Sequence, residues 1–216
     1  VYMTEDQRNE PAGNGGLFYR FVPHGNTADG TRPDLGSGRL QAAVVASGDI
    51  FEPRAVTWVD VPNPEPLTLL PHEAVLRPIR NQLREAEHFD GGEGIWYHPA
   101  DHSIVFSTKG DNRLWRYDIG GATVQAIYDD DIGDDNILSA LDNVIMNADG
   151  DIICCEDGDD SQVVGLLPDG RQVPLLQFVA GGGPAGPSFN PDGTRLYVSG
   201  MSGATYEITG PWFVRD

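Results

Sequence analysis

The chain has 216 residues, of which 39% are hydrophobic, and it contains 27 glycines and 16 prolines. This length allows one sizeable core, and the glycine and proline content favours an all-β fold with many tight turns over a helical bundle. The formal net charge of −19 disfavours nucleic-acid binding and favours hard cations, and no apolar run is long enough to span a membrane.

The first third of the chain contains four apolar segments that are predicted strands: residues 1–6, 17–22, 40–45 and 56–61. They are rich in β-branched and aromatic residues, which favour extended structure. Because the sequence opens directly inside a strand, we expect upstream sequence to be missing from it. The lack of a visible signal peptide therefore says little about the compartment.

Residues 62–90 interrupt this series of strands. Within them Val75, Ile79 and Leu83 recur every four residues, which is the spacing of one face of a helix. We therefore expect an insertion over residues 62–90 that contains a short helix over residues 73–87.

The rest of the chain contains a repeated unit. Residues 93–108, 142–156 and 186–199 each consist of an apolar strand, a tight turn and a second apolar strand. His98, Asn147 and Asn190 hold matching places at spacings of 49 and 43 residues, which is typical of four-stranded propeller blades. Third and fourth strands are predicted at residues 113–118, 123–128, 162–167, 172–178, 204–208 and 211–214.

These units predict an all-β fold, a β-propeller with about four blades, as a single domain over residues 1–216. The N-terminal strands fit the same unit without its first strand. We therefore expect the C-terminal part of a larger propeller, whose missing blades lie on upstream sequence or on another chain. A β-sandwich is the alternative architecture, and the period of 43 to 49 residues disfavours it.

Acidic and amide side chains recur at equivalent blade positions. The first strand of a blade lines the channel and the second runs antiparallel to it, so the start of one and the end of the other share a mouth. Crowded like charges favour a bound cation, and Ca²⁺ takes about six to eight oxygen ligands. The alternative is a set of solvated surface groups. The candidate metal ligands are Glu5, Asp6, Glu93, Asp142, Asn143, Glu156 and Asp157.

Nucleophilic hydrolase chemistry has no support in the sequence. There is no nucleophile-elbow motif, and neither Cys154 nor Cys155 has a histidine nearby in sequence. The two cysteines are adjacent, so in a strand they point to opposite faces and are poorly placed to bond to each other.

The order of the motifs resembles the family of PhoX-type alkaline phosphatases, the former DUF839 group. Each motif is short, and their shared order over nearly the whole chain carries the resemblance. The motifs are VYMTED at 1–6, LFYRFVP at 17–23, WVDV at 58–61, GEGI at 92–95, WRYD at 115–118, DN at 142–143, CEDG at 155–158, FNPDG at 189–193 and ITGPW at 208–212.

The resemblance implies a propeller with calcium and iron (Ca²⁺ and Fe³⁺) at one channel mouth, used to hydrolyse small phosphate monoesters. It implies Glu5, Glu93 and Glu156 as metal ligands and a secreted protein, periplasmic or extracellular. The chain departs from the family at Gly91, where relatives often carry arginine, at Gln177, where they carry glutamate, and over residues 199–202.

Three functions are consistent with these features. The first is a metal-dependent phosphatase. The second is a lactonase similar to the gluconolactonase propellers, which also bind one calcium. The third is a non-catalytic propeller that is stabilised by calcium and binds a partner, which the departures from the family favour.

Overall fold

The computed structural model describes residues 1–9, 15–65, 78–133, 136–179 and 182–210. Almost all regular structure in these ranges is strand, and the exception is one 3-10 helix, Ile79–Asn81. The strands are β1 (Tyr2–Thr4), β2 (Gly16–Pro23), β3 (Gly38–Val45), β4 (Arg54–Asp60), β5 (His88–Phe89), β6 (Gly92–His98), β7 (Ser103–Thr108), β8 (Arg113–Asp118), β9 (Thr123–Asp129), β10 (Leu141–Met146), β11 (Ile152–Glu156), β12 (Gln162–Leu166), β13 (Gln172–Gln177), β14 (Pro184–Phe189), β15 (Arg195–Gly200) and β16 (Thr205–Thr209).

Consecutive strands pair antiparallel into four blades, which confirms the predicted all-β propeller. The second blade is β6 to β9, the third is β10 to β13, and the fourth is β14 to β16 in the described residues. The first blade is β1 to β3, and β4 extends it. The predicted strands lie where the sequence placed them, with ends that shift by one or two residues. The strand predicted at residues 211–214 lies outside the described residues.

The first and second blades are joined at their outer edges. Strand β4 pairs with β9 through Arg54 opposite Val124 and Ala55 opposite Thr123. The two blades therefore belong to one nine-stranded sheet, in which β5 also pairs with β2. The third and fourth blades are separate sheets.

The first strand of each of the last three blades contains a β-bulge at the same place. The register between first and second strands shifts at residues 93–94, at residues 142–143 and at residues 186–187. A bulge leaves extra residues unpaired and redirects their side chains. The repeat therefore presents two bulged residues from each of these blades at one end of the channel.

Hydrogen bonds from the preceding blade hold two of these bulges. The Thr4 hydroxyl donates to the Glu93 carbonyl oxygen at 2.7 Å. The Ser107 hydroxyl, which holds the same place in its blade, donates to the Asp142 carbonyl oxygen. The third bulge is also tied to its neighbour, because the Gly186 amide donates to Asn143 Oδ1 at 2.6 Å.

Apolar side chains fill the spaces between blades. The space between the first and second blades is aromatic, and Phe18 stacks on Phe106 with ring centroids 4.7 Å apart. Between the second and third blades the core includes Cys154, whereas Cys155 faces the fourth blade. The two free thiols therefore point to opposite faces of their sheet.

The described residues of the insertion cover the remaining face of the first blade, and in them the expected helix is reduced to the 3-10 turn Ile79–Asn81. The prediction of a helix is wrong for residues 82–87, which are not helical; residues 66–77 lie outside the described part of the chain. Leu83 and Ala86 are buried against Leu17 on the first blade. The Gln82 side chain bonds the backbone of Asn63, and these contacts favour an irregular path. No helix in the described ranges is long and apolar enough to cross a membrane.

Gly94 allows the second and third blades to approach closely at their bulges. A Cβ at this position would press on the Val144 nitrogen and lie 2.7 Å from Asn143 Cα, and both are backbone atoms that cannot move aside. Overpacking of this kind costs about 1–3 kcal/mol. Each kcal/mol lowers the Tm of a chain of this size by roughly 2–4 °C.

We therefore expect Gly94→Ala to lower the Tm measured by differential scanning calorimetry. Gly25→Ala is the matched control, because a Cβ at Gly25 meets nothing within 4 Å. Equal Tm values for the two variants would contradict the close approach of the blades.

Candidate functional site

Five of the seven predicted ligands gather at the bulged end of the channel. Asp6 follows β1, Glu93 lies in β6, Asp142 and Asn143 lie in β10, and Asp157 follows β11. They come from three blades and include the side chains that the bulges present. We call these five residues, together with Lys109, the acidic cluster.

Direct contacts connect the members of the acidic cluster. The carboxyl groups of Glu93 and Asp142 share a hydrogen bond. The Asn143 amide donates to Asp142 Oδ1 at 2.9 Å. The Lys109 ammonium forms an ion pair with Asp157 Oδ2 at 2.5 Å, and its side chain is 14% exposed. Lys109 follows β7, so this ion pair bridges the second and third blades.

The electrostatics of the cluster disfavour further negative charge. Burial, followed by the Asp142 and Asp6 carboxylates, raises the pKa of Glu93 to about 7, against the opposing effect of Lys109. Burial also raises the pKa of Asp142. Burial alone would lower the pKa of Lys109, but the hydrogen bond to Asp157 and the nearby carboxylates raise it. One ammonium faces four carboxyl groups, so a further cation would be stabilised here.

Glu5 contacts a different set of groups. Its Oε1 forms an ion pair with Arg80 at 2.6 Å. Its Oε2 accepts hydrogen bonds from the Tyr19 hydroxyl at 2.7 Å and from the Leu17 amide at 3.3 Å. Arg80 belongs to the insertion, so the charge of Glu5 is compensated on the face of the first blade that the insertion covers.

Glu156 is fully buried between the second and third blades. Its Oε1 accepts a hydrogen bond from the Ser139 amide at 2.6 Å, whereas Oε2 has no partner among the described residues. Burial raises the pKa of Glu156 to about 7, although the Ser139 hydrogen bond acts in the opposite direction. In the described part of the chain, no three histidine, cysteine or acidic side chains form a ready metal site. The seven-residue ligand set therefore stays a prediction.

Lys109 is the residue of this site that the predicted ligand set does not contain. It directly follows the second strand of its blade, as Asp157 follows β11, and Asp6 lies two residues after β1. Aligning the ends of the second strands would therefore have placed this lysine, the only one in the chain, among the acids.

Both cysteines are buried, which disfavours their thiolate forms. Burial, followed by the Asp142 and Glu156 carboxylates, raises the pKa of Cys155 to about 12. Burial also raises the pKa of Cys154. A thiolate is the reactive form of cysteine, so neither residue is an activated nucleophile.

Comparison with known proteins identifies one family. The family model described as alkaline phosphatase PhoX matches residues 1–126. No curated protein sequence matches the chain.

Several solved structures align with this chain over most of its length. A gluconolactonase from Xanthomonas campestris is 12% identical, with a TM-score of 0.46 over 92% of this chain and 55% of that one. Virginiamycin B lyase from Staphylococcus aureus is 14% identical, with a TM-score of 0.42 over 98% and 74% of the two chains. A chain of a nidogen–laminin complex is 11% identical, with a TM-score of 0.42 over 97% and 78%. The chain thus spans about half the length of the gluconolactonase, and these likenesses carry no argument about activity.

Ionised Glu93 should destabilise the fold in a chelator-treated sample, where no cation can offset its charge. Because its pKa of about 7 lies above the ordinary value of 4.5, the stability that protonated Glu93 confers is complete below 4.5 and is lost as the pH rises through 7. We expect Glu93→Gln to unfold at a higher urea concentration than the unsubstituted chain at pH 8, with a smaller difference at pH 5.

Glu52→Gln is the control for this experiment, since Glu52 is exposed and lies far along the chain from the cluster, between β3 and β4. If Glu93→Gln does not unfold at a higher urea concentration than the unsubstituted chain at pH 8, then neighbouring carboxylates do not crowd Glu93.

Proposed function

The chain belongs to the PhoX family of alkaline phosphatases, and from this premise we propose that it hydrolyses small phosphate monoesters with the help of metal ions. The proposed ions are Ca²⁺ and, as the family resemblance implies, Fe³⁺. The observation that carries the proposal is the acidic cluster, in which carboxyl groups from three blades surround one end of the channel.

The donor set of the cluster fits hard cations. Glu93, Asp142 and Asp157 offer carboxylate oxygens, and Asn143 offers an amide oxygen, which are the ligand types that Ca²⁺ prefers. The thiol of Cys155 faces the fourth blade and does not join them. A bound cation would also relieve the repulsion that raises the pKa of Glu93. These features support Glu93, Asp142 and Asn143 as the residues that would hold the ion.

The residues around the cluster suggest how a phosphate group would be held. A bound metal ion would polarise the phosphoryl oxygens and offset developing negative charge. Lys109 already lies among the acids and can donate to a phosphoryl oxygen. Arg8 packs beside Gly91, with its Cγ 3.3 Å from where a Cβ would be. Because the chain carries a net charge of −19, such local positive charge is needed for a phosphate dianion to approach.

Two further features of the proposal rest on the family resemblance and on the incomplete number of blades. We propose that the protein acts in the periplasm or outside the cell. We also propose that additional blades, on upstream sequence or on another chain, complete the propeller around the channel. Glu5 would become a metal ligand only by giving up its ion pair with Arg80. Glu156 would become one only by giving up its hydrogen bond from Ser139.

A non-catalytic role is the second candidate, and one specific observation favours it. The Glu5 carboxylate is already neutralised by Arg80 and bonded by Tyr19, as expected for a group that serves the fold. In that case a cation at the acidic cluster would stabilise the junction of the blades, and the rim would bind a partner.

Release of phosphate from p-nitrophenyl phosphate tests the proposal. We expect turnover that a chelator abolishes and that Ca²⁺ with Fe³⁺ restores. Asp142→Asn should lower kcat/KM by about 100-fold or more, because the metal ion that would stabilise transition-state charge is then held less tightly. Asp192→Asn is the control, because Asp192 lies in an exposed turn of the fourth blade and bonds its neighbour Thr194.

Other outcomes of the same assay identify the alternatives. Opening of a lactone without phosphate release would replace the proposal with lactonase activity. Metal binding by mass spectrometry or calorimetry, with no turnover of either substrate, would replace it with the non-catalytic role.

A further inference from the structure

Lys109 lies at a place where the blades on either side of it carry acids. It comes two residues after Ser107, whose hydroxyl holds the bulge of the next blade. Asp6 comes two residues after Thr4, which makes the equivalent contact. Asp157 directly follows the second strand of the third blade. The repeat therefore has an acid at this place in the first and third blades and a lysine in the second.

The Lys109 ammonium group acts as a counter-ion inside the acidic cluster. Its Nζ donates to Asp157 Oδ2 at 2.5 Å, and it also attracts the carboxylates of Asp142 and Glu93. Although burial opposes the charged form, the hydrogen bond to Asp157 and the nearby carboxylates raise the pKa of Lys109, so the ammonium is charged at neutral pH. A divalent cation that binds these carboxylates must therefore overcome the repulsion of the ammonium group.

Only the end of the Lys109 side chain has to move for Asp157 to be released. The Lys109 amide donates to the Gly91 carbonyl oxygen at 2.8 Å, and the Asp157 amide donates to the Ala140 carbonyl oxygen at 3.0 Å. These bonds hold the backbone of both residues. The ammonium group is a compact charge on a flexible stem, so the exchange of Asp157 from Lys109 to a metal ion needs no rearrangement of the blades.

The same ion pair limits how well the cluster can bind an anion. Without a metal ion, the Lys109 ammonium is neutralised by Asp157, and the surrounding carboxylates repel a phosphate dianion. A cation held by Asp157 and Asp142 would remove both obstacles, because it would offset the carboxylates and leave the ammonium free to donate. The affinity for phosphate then depends on the binding of the metal ion.

We propose that Lys109 holds Asp157 in place of a metal ion and is released to bind phosphate when the metal ion takes Asp157. The proposal rests on the proposed function, because it concerns the same acidic cluster. It adds an order of binding, with the metal ion before the phosphate group, and it assigns the coupling between the two ligands to Lys109.

Titration of the chelator-treated full chain with Ca²⁺ in a calorimeter tests the first half of the proposal. We expect Lys109→Met to bind Ca²⁺ at least about 10-fold more tightly than the unsubstituted chain, because the repulsion of the ammonium group is removed. Lys109→Arg keeps the charge and should leave the Ca²⁺ affinity low. Arg171→Gln is the matched control, since it also removes one positive charge from an ion pair with an aspartate, Asp169, in an exposed turn outside the cluster.

Titration with phenylphosphonate, which resembles a phosphate monoester and is not hydrolysed, tests the second half. We expect the unsubstituted chain to bind phenylphosphonate at least about 10-fold more tightly when Ca²⁺ is saturating than in the presence of a chelator. In saturating Ca²⁺, Lys109→Met should bind it at least about 10-fold more weakly, because a charge-assisted hydrogen bond is lost. The substitution thus changes the affinities for the cation and for the anion in opposite directions.

Two results would overturn the proposal: a Ca²⁺ affinity of Lys109→Met no higher than that of Arg171→Gln, or phenylphosphonate binding that is equal with and without Ca²⁺. An ion pair that serves only the fold would lower the Tm of Lys109→Met and leave both affinities unchanged.

If circular dichroism shows that Lys109→Met does not fold, Lys109→Gln decides the matter in the same titrations, since its amide can still donate to Asp157 without a charge. If the unsubstituted chain binds no Ca²⁺, the proposed metal site is wrong and this inference falls with it. Ca²⁺ binding that substitution of Lys109 leaves unchanged refutes this inference alone.

Discussion

The contact between the bulged first strand of one blade and the second strand of the preceding blade controls the rest of this structure. A hydroxyl group from Thr4 or Ser107 donates to the bulge of the next blade, and Gly94 leaves room for the backbones to meet. This contact sets where Glu93 and Asp142 lie relative to each other. The crowding of carboxyl groups is therefore a consequence of how the blades pack.

Much of the fold could be predicted from the sequence, because the repeat is expressed in hairpins with clear turn residues. The convergence of Glu93 and Asp142 could also be predicted from their equivalent positions. The directions of Glu5 and Glu156 were harder to foresee, although strand alternation contains the signal. Ile152, Cys154 and Glu156 share one face of β11, and that face packs against the second blade. An acid at the end of a second strand therefore points between blades as readily as into the channel.

Two features could not be predicted from residue patterns. A β-bulge depends on the pairing of two strands, so the glycines beside Glu93 and the Asp142–Asn143 pair, although unusual within strands, do not by themselves fix where the register shifts. The insertion shows the converse, since Ile79 and Leu83 follow helical spacing but pack on the first blade from one 3-10 turn and the irregular residues after it. Periodicity reports which residues are buried, and it does not decide the backbone path when a flat sheet supplies the opposite surface.

The pairing of β4 with β9 joins the first and second blades through main-chain hydrogen bonds. The first two blades cannot separate without breaking main-chain hydrogen bonds. In the described residues, the third and fourth blades contact their neighbours mainly through side chains and single hydrogen bonds. Local opening follows the weakest contacts between neighbouring units. Because β4 and β9 join the first two blades into one sheet, we expect local unfolding to open those two blades together.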